Sequence, residues 1–140
     1  MDVKALREIC REAVQRGGEV LRARRGTERT IDFKSRRDIV TDADRASEKV
    51  ILEYLRQVAP TDAILSEEAG ELPGGQTRSW VVDPLDGTTN FASGINHYCV
   101  TVAVRDIHGV AAGATYDPAA DELYTAARGE GATLNGERLH

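Results

Sequence analysis

The stretch WVVDPLDGTTNF, Trp80 to Phe91, decides how the rest of the chain is read. An apolar, strand-like run, Trp80-Val81-Val82, breaks at Asp83-Pro84, offers a second carboxylate at Asp86, and passes through Gly87-Thr88-Thr89-Asn90 before Phe91 restores apolar character. Proline has no N–H to donate and fixes the chain direction, so the ladder is expected to end there. Asp83, the Leu85 carbonyl and Asp86 can then converge on one point, which simple strand alternation would prevent. Convergent oxygens suit a hard cation such as magnesium, which takes carboxylate, carbonyl and water oxygens and commonly completes its shell with substrate phosphate. Gly87 lets backbone approach a ligand closely, and a helical turn opened by Asp86 to Asn90 would turn free N–H groups toward an anion. Carboxylates for a cation beside amides for phosphate imply phosphoryl chemistry. The same residues also fit a plain capped turn, with Asp86 and Thr88 bonding local backbone N–H groups.

Outward from this stretch, Asp62 to Leu65 reads as a short buried strand leading into Ser66-Glu67-Glu68. Acids at several strand ends can meet on one sheet edge, so one of the two glutamates could bridge the aspartate pair; taken alone, Glu67-Glu68 reads as a solvated pair. Leu72-Pro73-Gly74-Gly75 is a loop. Downstream, the runs Cys99 to Arg105, Val110 to Tyr116 and Glu122 to Ala127 read as antiparallel strands, with turns at His108-Gly109 and Asp117-Pro118. Near the N-terminus, Val3, Leu6, Ile9, Cys10, Ala13, Val14, Gly17, Val20 and Leu21 recur at helical spacing and define an amphipathic helix ending near Gly26. Thr27 to Phe33 alternates as a short strand, and Lys34-Ser35-Arg36-Arg37 reads as a polar loop. Thr41 is placed to cap a second helix, with Asp44 three residues on and a buried stripe of Ala43, Ala46, Val50, Ile51, Tyr54, Leu55 and Val58 before Pro60 stops it. Helices first and hairpin-linked strands later give an α+β fold, two helices packed on one face of a mainly antiparallel sheet.

Composition sets the outer bounds. A chain of 140 residues is one domain, small for an enzyme with a complete substrate pocket. The 41% hydrophobic and 29% charged residues are those of a soluble globular protein, and no apolar run approaches the roughly 18 residues of a membrane span. The N-terminus is amphipathic and shows no signal-peptide pattern. Cys10 and Cys99 lie far apart without C-x-x-C spacing, which points away from a zinc site or disulfide framework, toward a reducing cytoplasm and toward thiols acting as buried small hydrophobes. The formal charge of −5 argues against nucleic acid or an anionic membrane as the main partner. Arg22, Arg24, Arg25 and Arg29 read as a solvated helix end. Asp38, Asp42 and Asp44 read as helix-start acids lacking EF-hand spacing, and Gly129-Glu130-Gly131 reads as a turn. His97, His108 and His140 show no ligand spacing, and Thr88 lacks the partners of a covalent hydrolase. A haloacid dehalogenase-like phosphatase would carry one residue between its acids and place them after an early strand. Asp83 and Asp86 have two between them and lie mid-chain.

Asp83-Pro84-Leu85-Asp86-Gly87-Thr88-Thr89-Asn90-Phe91 resembles the signature of the inositol monophosphatase family, magnesium-dependent, lithium-sensitive phosphatases related to the fructose-1,6-bisphosphatases. Asp38 to Asp44, Leu65 to Glu68, Gly113 to Pro118 and Glu122 to Ala126 extend the likeness over nearly the whole chain. The resemblance implies the N-terminal part of a layered α/β sandwich of the sugar-phosphatase type, with Glu67, Asp83, the Leu85 carbonyl and Asp86 holding magnesium, two or three ions in the complete enzyme. Glu67 would also hold a catalytic water, Thr88 paired with Asp44 would orient or deprotonate it, and Glu67, Asp86 and the Gly87 and Thr88 amides would contact the substrate phosphate. Lys34 would sit in a mobile loop near the metals. Water would attack in line, with no phosphoenzyme.

Relatives continue into a C-terminal α/β domain with a W-D-x-A-A-G-like segment, whereas the tryptophan here is Trp80 alone, so residues 1–140 are expected to be the N-terminal metal-binding domain with that second domain absent. Asn96 also stands where many relatives carry proline. The implied activity is hydrolysis of a small phosphate monoester, inositol 1-phosphate first, with fructose 1,6-bisphosphate, histidinol phosphate or a nucleotide-like phosphate as alternatives. A cytoplasmic homodimer is expected, with the cysteines pointing to the compartment and the net charge pointing away from a nucleic-acid or membrane partner. The rival reading is an inactive truncated metal-binding or interaction module, with a free sheet edge and an uncovered apolar face where a second domain would dock.

Overall fold

The computed structural model describes residues 1–25 and 33–140, and of residues 33–41 the backbone alone. Among the described residues the order is α1 (Val3–Arg25), α2 (Phe33–Val58), β1 (Asp62–Ser66), β2 (Gly70–Leu72), β3 (Gly75–Asp86), α3 (Thr88–Ala92), β4 (Cys99–Asp106), β5 (Gly109–Asp117), β6 (Glu122–Ala127), β7 (Gly131–Leu134) and β8 (Glu137–Arg138). All eight strands join one sheet in the order β2-β1-β3-β4-β5-β6-β7-β8, antiparallel throughout except where β1 runs parallel to β3. The α+β architecture expected from the sequence is the observed one.

Asp2 accepts a hydrogen bond from the Ala5 N–H at 2.8 Å and so caps α1. The inward stripe of α1, Leu6, Ile9, Cys10, Ala13, Val14, Gly17, Gly18 and Leu21, lies over β4, β5 and β6. At Gly18 an added Cβ would stand 2.2 Å from Cδ2 of Tyr116, so only hydrogen fits where helix meets sheet. The arginines at the end of α1 are not simply solvated. The Arg22 guanidinium donates to Tyr116 Oη at 2.6 Å and to the Pro118 carbonyl at 2.8 Å, while Arg25 lies over the Phe91 and Tyr98 rings. These side chains close the end of the helix onto the sheet.

The helix α2 begins at Phe33, so Lys34 to Arg37 continue the helix where a loop is expected, and Thr41 lies within it, eight residues past its start. The run contains neither Gly nor Pro, and lysine and arginine are good helix formers, so nothing in it stops the helix. The expected strand from residue 27 to 32 lies outside the described residues, as do the side chains of Lys34, Asp38 and Thr41. The buried stripe of α2 is turned from the expected one: Ala43, Asp44, Ser47, Ile51 and Leu55 are inside, whereas Ala46, Val50, Tyr54 and Val58 are half-buried. Two polar residues thus point at the sheet.

Val82 of β3, Val100, Val102 and Val104 of β4 and Ala112, Ala114 and Tyr116 of β5 alternate inward beneath the helices, the period-2 burial of a half-covered sheet. Trp80 is fully buried and donates its indole N–H to Asp62 Oδ2 at 2.8 Å; Arg78 binds the same carboxylate at 2.8 and 3.3 Å. This network ties β1 to the parallel strand β3. The opposite face is bare among the described residues. There Leu65, Val81, Ala103, Gly113, Ala126 and Ala132 stand in one cross-strand row, and Val81 and Leu65 are exposed.

Candidate metal centre

The decisive local feature is a bulge in β3. Asp83 pairs with Thr101 and Asp86 with Cys99, so three steps along β3 match two along β4. The strand therefore does not end at Asp83-Pro84, as the sequence suggested, but skips the proline, which has no N–H to give, and resumes pairing at Asp86. Thr101 and Cys99 are two apart and share a face, and cross-strand partners share a face with them. The bulge thus brings Asp83 and Asp86 to the same side of the sheet, where regular alternation over three residues would oppose them.

The parallel pairing of β1 with β3 brings the two strand ends together. Ser66 pairs with Val82, and the Glu67 N–H donates to the Val82 carbonyl at 3.2 Å. Glu67 and Glu68 sit in the turn of the β1–β2 hairpin, closed by the Ser66–Gly70 pair. From the other side α2 delivers Asp44, 7% exposed, next to the charges of Glu68, Glu67 and Asp83. Asp83 in turn faces Glu67 and Asp86. Five carboxylates from one helix, one hairpin turn and one bulged strand are gathered.

Their electrostatics fit the binding of a cation. Burial, followed by the charge of Glu68 and a hydrogen bond with it, pushes the Asp44 carboxyl up to about 7. Burial, followed by a hydrogen bond with Glu67 and the charges of Glu67 and Asp86, pushes Asp83 up to about 7, against a smaller opposing contribution from the Leu85 backbone. Among the described residues no lysine or arginine pairs with any of the five. Asp44 Oδ1 and Asp83 Oδ1 are buried without a hydrogen-bond partner. A buried carboxylate oxygen with neither donor nor counter-ion is an unfavourable arrangement that a bound cation relieves. The residues present therefore fit a divalent ion with oxygen ligands. They are not already closed round one: among the described residues no three acids, histidines or cysteines stand as a ready ligand set.

Gly87 has φ 86° and ψ 41°, the left-handed region, and an added Cβ would lie 2.8 Å from the His97 carbonyl oxygen. Glycine is thus required where β3 turns into α3. Thr88 opens α3 and is exposed. The contact with Asp44 implied by the resemblance is not made through Asp44 Oδ1, which takes no hydrogen bond. Asn90 Nδ2 donates to the His97 carbonyl at 2.9 Å, and the Phe91 and Tyr98 rings meet edge to face at 5.0 Å, so the segment after the acids is held down.

Two neighbours of the acids, Ser47 and Glu48, were not singled out from the sequence, and a third, Cys99, was read there only as a buried small hydrophobe. Ser47 Oγ donates to the Pro84 carbonyl at 2.8 Å, and Glu48 grips the hairpin turn. Cys99 is half-buried rather than a buried hydrophobe, with Sγ 3.7 Å from Asp86 Oδ2, and burial and Asp86 push its thiol up to about 11; Cys10 does behave as a buried hydrophobe. A signal for Ser47 was available: 44, 47, 51 and 55 share a helical stripe, so Asp44 and Ser47 line up with Ile51 and Leu55. A hollow of about 440 Å³ lies on the bare sheet face, lined by residues such as Thr101, Gly113, Tyr124 and Leu139, and none of the acids lines it.

Fold and acids together define an α+β domain with a carboxylate cluster where two parallel strands end. The chain belongs to the inositol monophosphatase family, whose pattern matches residues 2–140. It is 43% identical over 136 residues to the Nus factor SuhB of Pasteurella multocida, covering 94% of this chain and 50% of that protein, and 48% identical over 107 residues to the Nus factor SuhB of Escherichia coli K12, covering 76% and 40%. Among solved structures it superposes on the extragenic suppressor protein SuhB of Bartonella henselae with a TM-score of 0.86 at 36% identity, covering 97% of this chain and 53% of that one. The inositol monophosphatase of Anabaena gives 0.82 at 37% identity, covering 97% and 49%. The chain spans about half the length of the relatives it matches. No described helix is long and apolar enough to cross a membrane.

Proposed function

We propose that this chain carries the metal-bearing half of a magnesium-dependent phosphomonoesterase acting on a small phosphate ester, inositol 1-phosphate first among the candidates. The observation that supports it most is the carboxylate cluster with orphaned buried oxygens on Asp44 and Asp83 and, among the described residues, no cationic side chain paired with it. Glu67, Asp83, the Leu85 carbonyl and Asp86 are the groups that would hold magnesium. When bound, magnesium supplies the positive charge that offsets that of the phosphate and makes water a better nucleophile. Glu67 holds the attacking water on the face of the phosphorus opposite the leaving oxygen, and the Thr88 hydroxyl, working with Asp44, aims it. The Gly87 and Thr88 amides and Asp86 orient the phosphate end of the substrate. The groups that recognise the rest of the ester lie in the second domain of the whole protein, which works in the cytoplasm as a homodimer.

A second reading, an interaction module without turnover, draws on two observations: the relatives that bear the name Nus factor, and the bare apolar sheet face. The two readings part on one assay, magnesium-dependent phosphate release from inositol 1-phosphate and fructose 1,6-bisphosphate by the whole protein and by its Asp83→Asn variant. The expected result is release by the whole protein that falls by about a hundred-fold or more in the variant, the scale on which losing a positioned charge acts. Release that is indifferent to Asp83→Asn would contradict the assignment, and no release by the whole protein, with manganese still bound, would favour the module; no release by residues 1–140 alone, with manganese bound, would mean that this half of the site needs the other to turn over.

A further inference from the structure

The geometry points to Glu48 as a positioning residue for the metal centre, a side chain that touches neither metal nor substrate but fixes the turn carrying Glu67 and Glu68. Glu48 lies on α2, one turn beyond Asp44. Its Oε2 accepts a hydrogen bond from Ser66 Oγ at 2.7 Å and another from the Ala69 N–H at 2.9 Å. These two donors flank Glu67 and Glu68 on either side, so one carboxylate oxygen spans the turn. The inner edge of the same turn is held by the Glu67 N–H to the Val82 carbonyl, and the neighbouring helix residue Ser47 holds the other acid-bearing segment through the Pro84 carbonyl. Consecutive residues of one helix thus grip both acid-bearing segments.

The need for such a grip follows from charge. Glu67 and Glu68 stand beside Asp44 and Asp83 with no paired lysine or arginine among the described residues, and like charges in a partly dry site drive the turn away from the strand ends. A turn with exposed acids and few apolar contacts opens readily unless its backbone is tied down. Groups that orient a ligand act on affinity, and removing one typically weakens metal binding by about 10- to 100-fold. Because a single oxygen of Glu48 takes both bonds, the carbonyl oxygen of glutamine can replace it, whereas alanine removes both contacts.

This inference rests on the metal-site reading above, and its test separates the two. Manganese, which takes the same oxygen ligands as magnesium, is titrated calorimetrically into the chain and its variants well below their melting temperatures. Glu48→Ala is expected to weaken manganese binding by about ten-fold or more, and Glu48→Gln to restore it to within about three-fold of the parent. Backbone amide exchange is expected to show the Ala69 N–H losing protection in Glu48→Ala and keeping it in Glu48→Gln. Should Glu48→Ala fail to fold, Glu48→Asp, one methylene too short to reach both donors, is expected to show the same weakening in a folded chain. Parent-like affinity in a folded Glu48→Ala or Glu48→Asp overturns the positioning role and leaves the metal site standing. Failure of the parent chain to bind manganese overturns the metal-site reading and this inference with it.

Discussion

Asp44 and Asp83 carry the clearest physical signature of the site, because each is a carboxyl held well above its ordinary value of 3.8 with no cation paired to it among the described residues. Raised acid values favour the protonated form, so their contribution to stability is full below about 4 and is lost as pH rises through about 7. Between those limits the metal-free chain is expected to become less stable with rising pH. Urea midpoints measured in chelator at pH 5 and pH 8 check this, and Asp44→Asn is expected to flatten the profile; a midpoint that climbs with pH would contradict it. Asp106, held down to about 2 chiefly by Arg128, acts in the opposite sense but below this window. That Asp83, Asp86 and one of Glu67 and Glu68 can meet was legible in the sequence, because strand ends and a proline mark where acids can converge; the choice of Glu67 came from the family resemblance alone. Glu48 was not. A glutamate on a helix reads as solvated until the fold sets a hairpin turn against it.

At the scale of elements, sequence periodicity served the hairpin-linked strands well, and β4, β5 and β6 lie where alternation and turn residues put them. The bulge in β3 was misread because proline was taken to end a strand that instead skips it. The β7–β8 hairpin was missed although Asn135-Gly136, with φ 50° and 84°, is the turn signal for it; the strands it joins are only four and two residues long and carry no run of β-formers. The packing of α1 on β5 depends on one residue. On helix propensity alone Gly18→Ala would stabilise by about 1 kcal/mol. The added methyl would meet the Tyr116 ring, so overpacking is expected to win, with a net loss of about 1–3 kcal/mol. Chemical denaturation of the variant checks the sign, and a gain in stability would show that Tyr116 moves aside freely.

Among the described residues the sheet is half covered: helices on one face, an open apolar row on the other, and the carboxylate cluster where β1 and β3 end. That arrangement could be read from the sequence only as far as layers and a mainly antiparallel sheet. Which face stays bare, and that one helix grips both acid-bearing segments, depend on contacts between residues far apart in the chain. Everything functional hangs on the claim that the cluster is a cation site. Crystals of the chain grown with manganese and measured at its absorption edge test this most directly. The expected result is an anomalous peak within ligand distance of Glu67, Asp83, the Leu85 carbonyl and Asp86. No peak there at saturating manganese, or one only at surface carboxylates elsewhere, would contradict it.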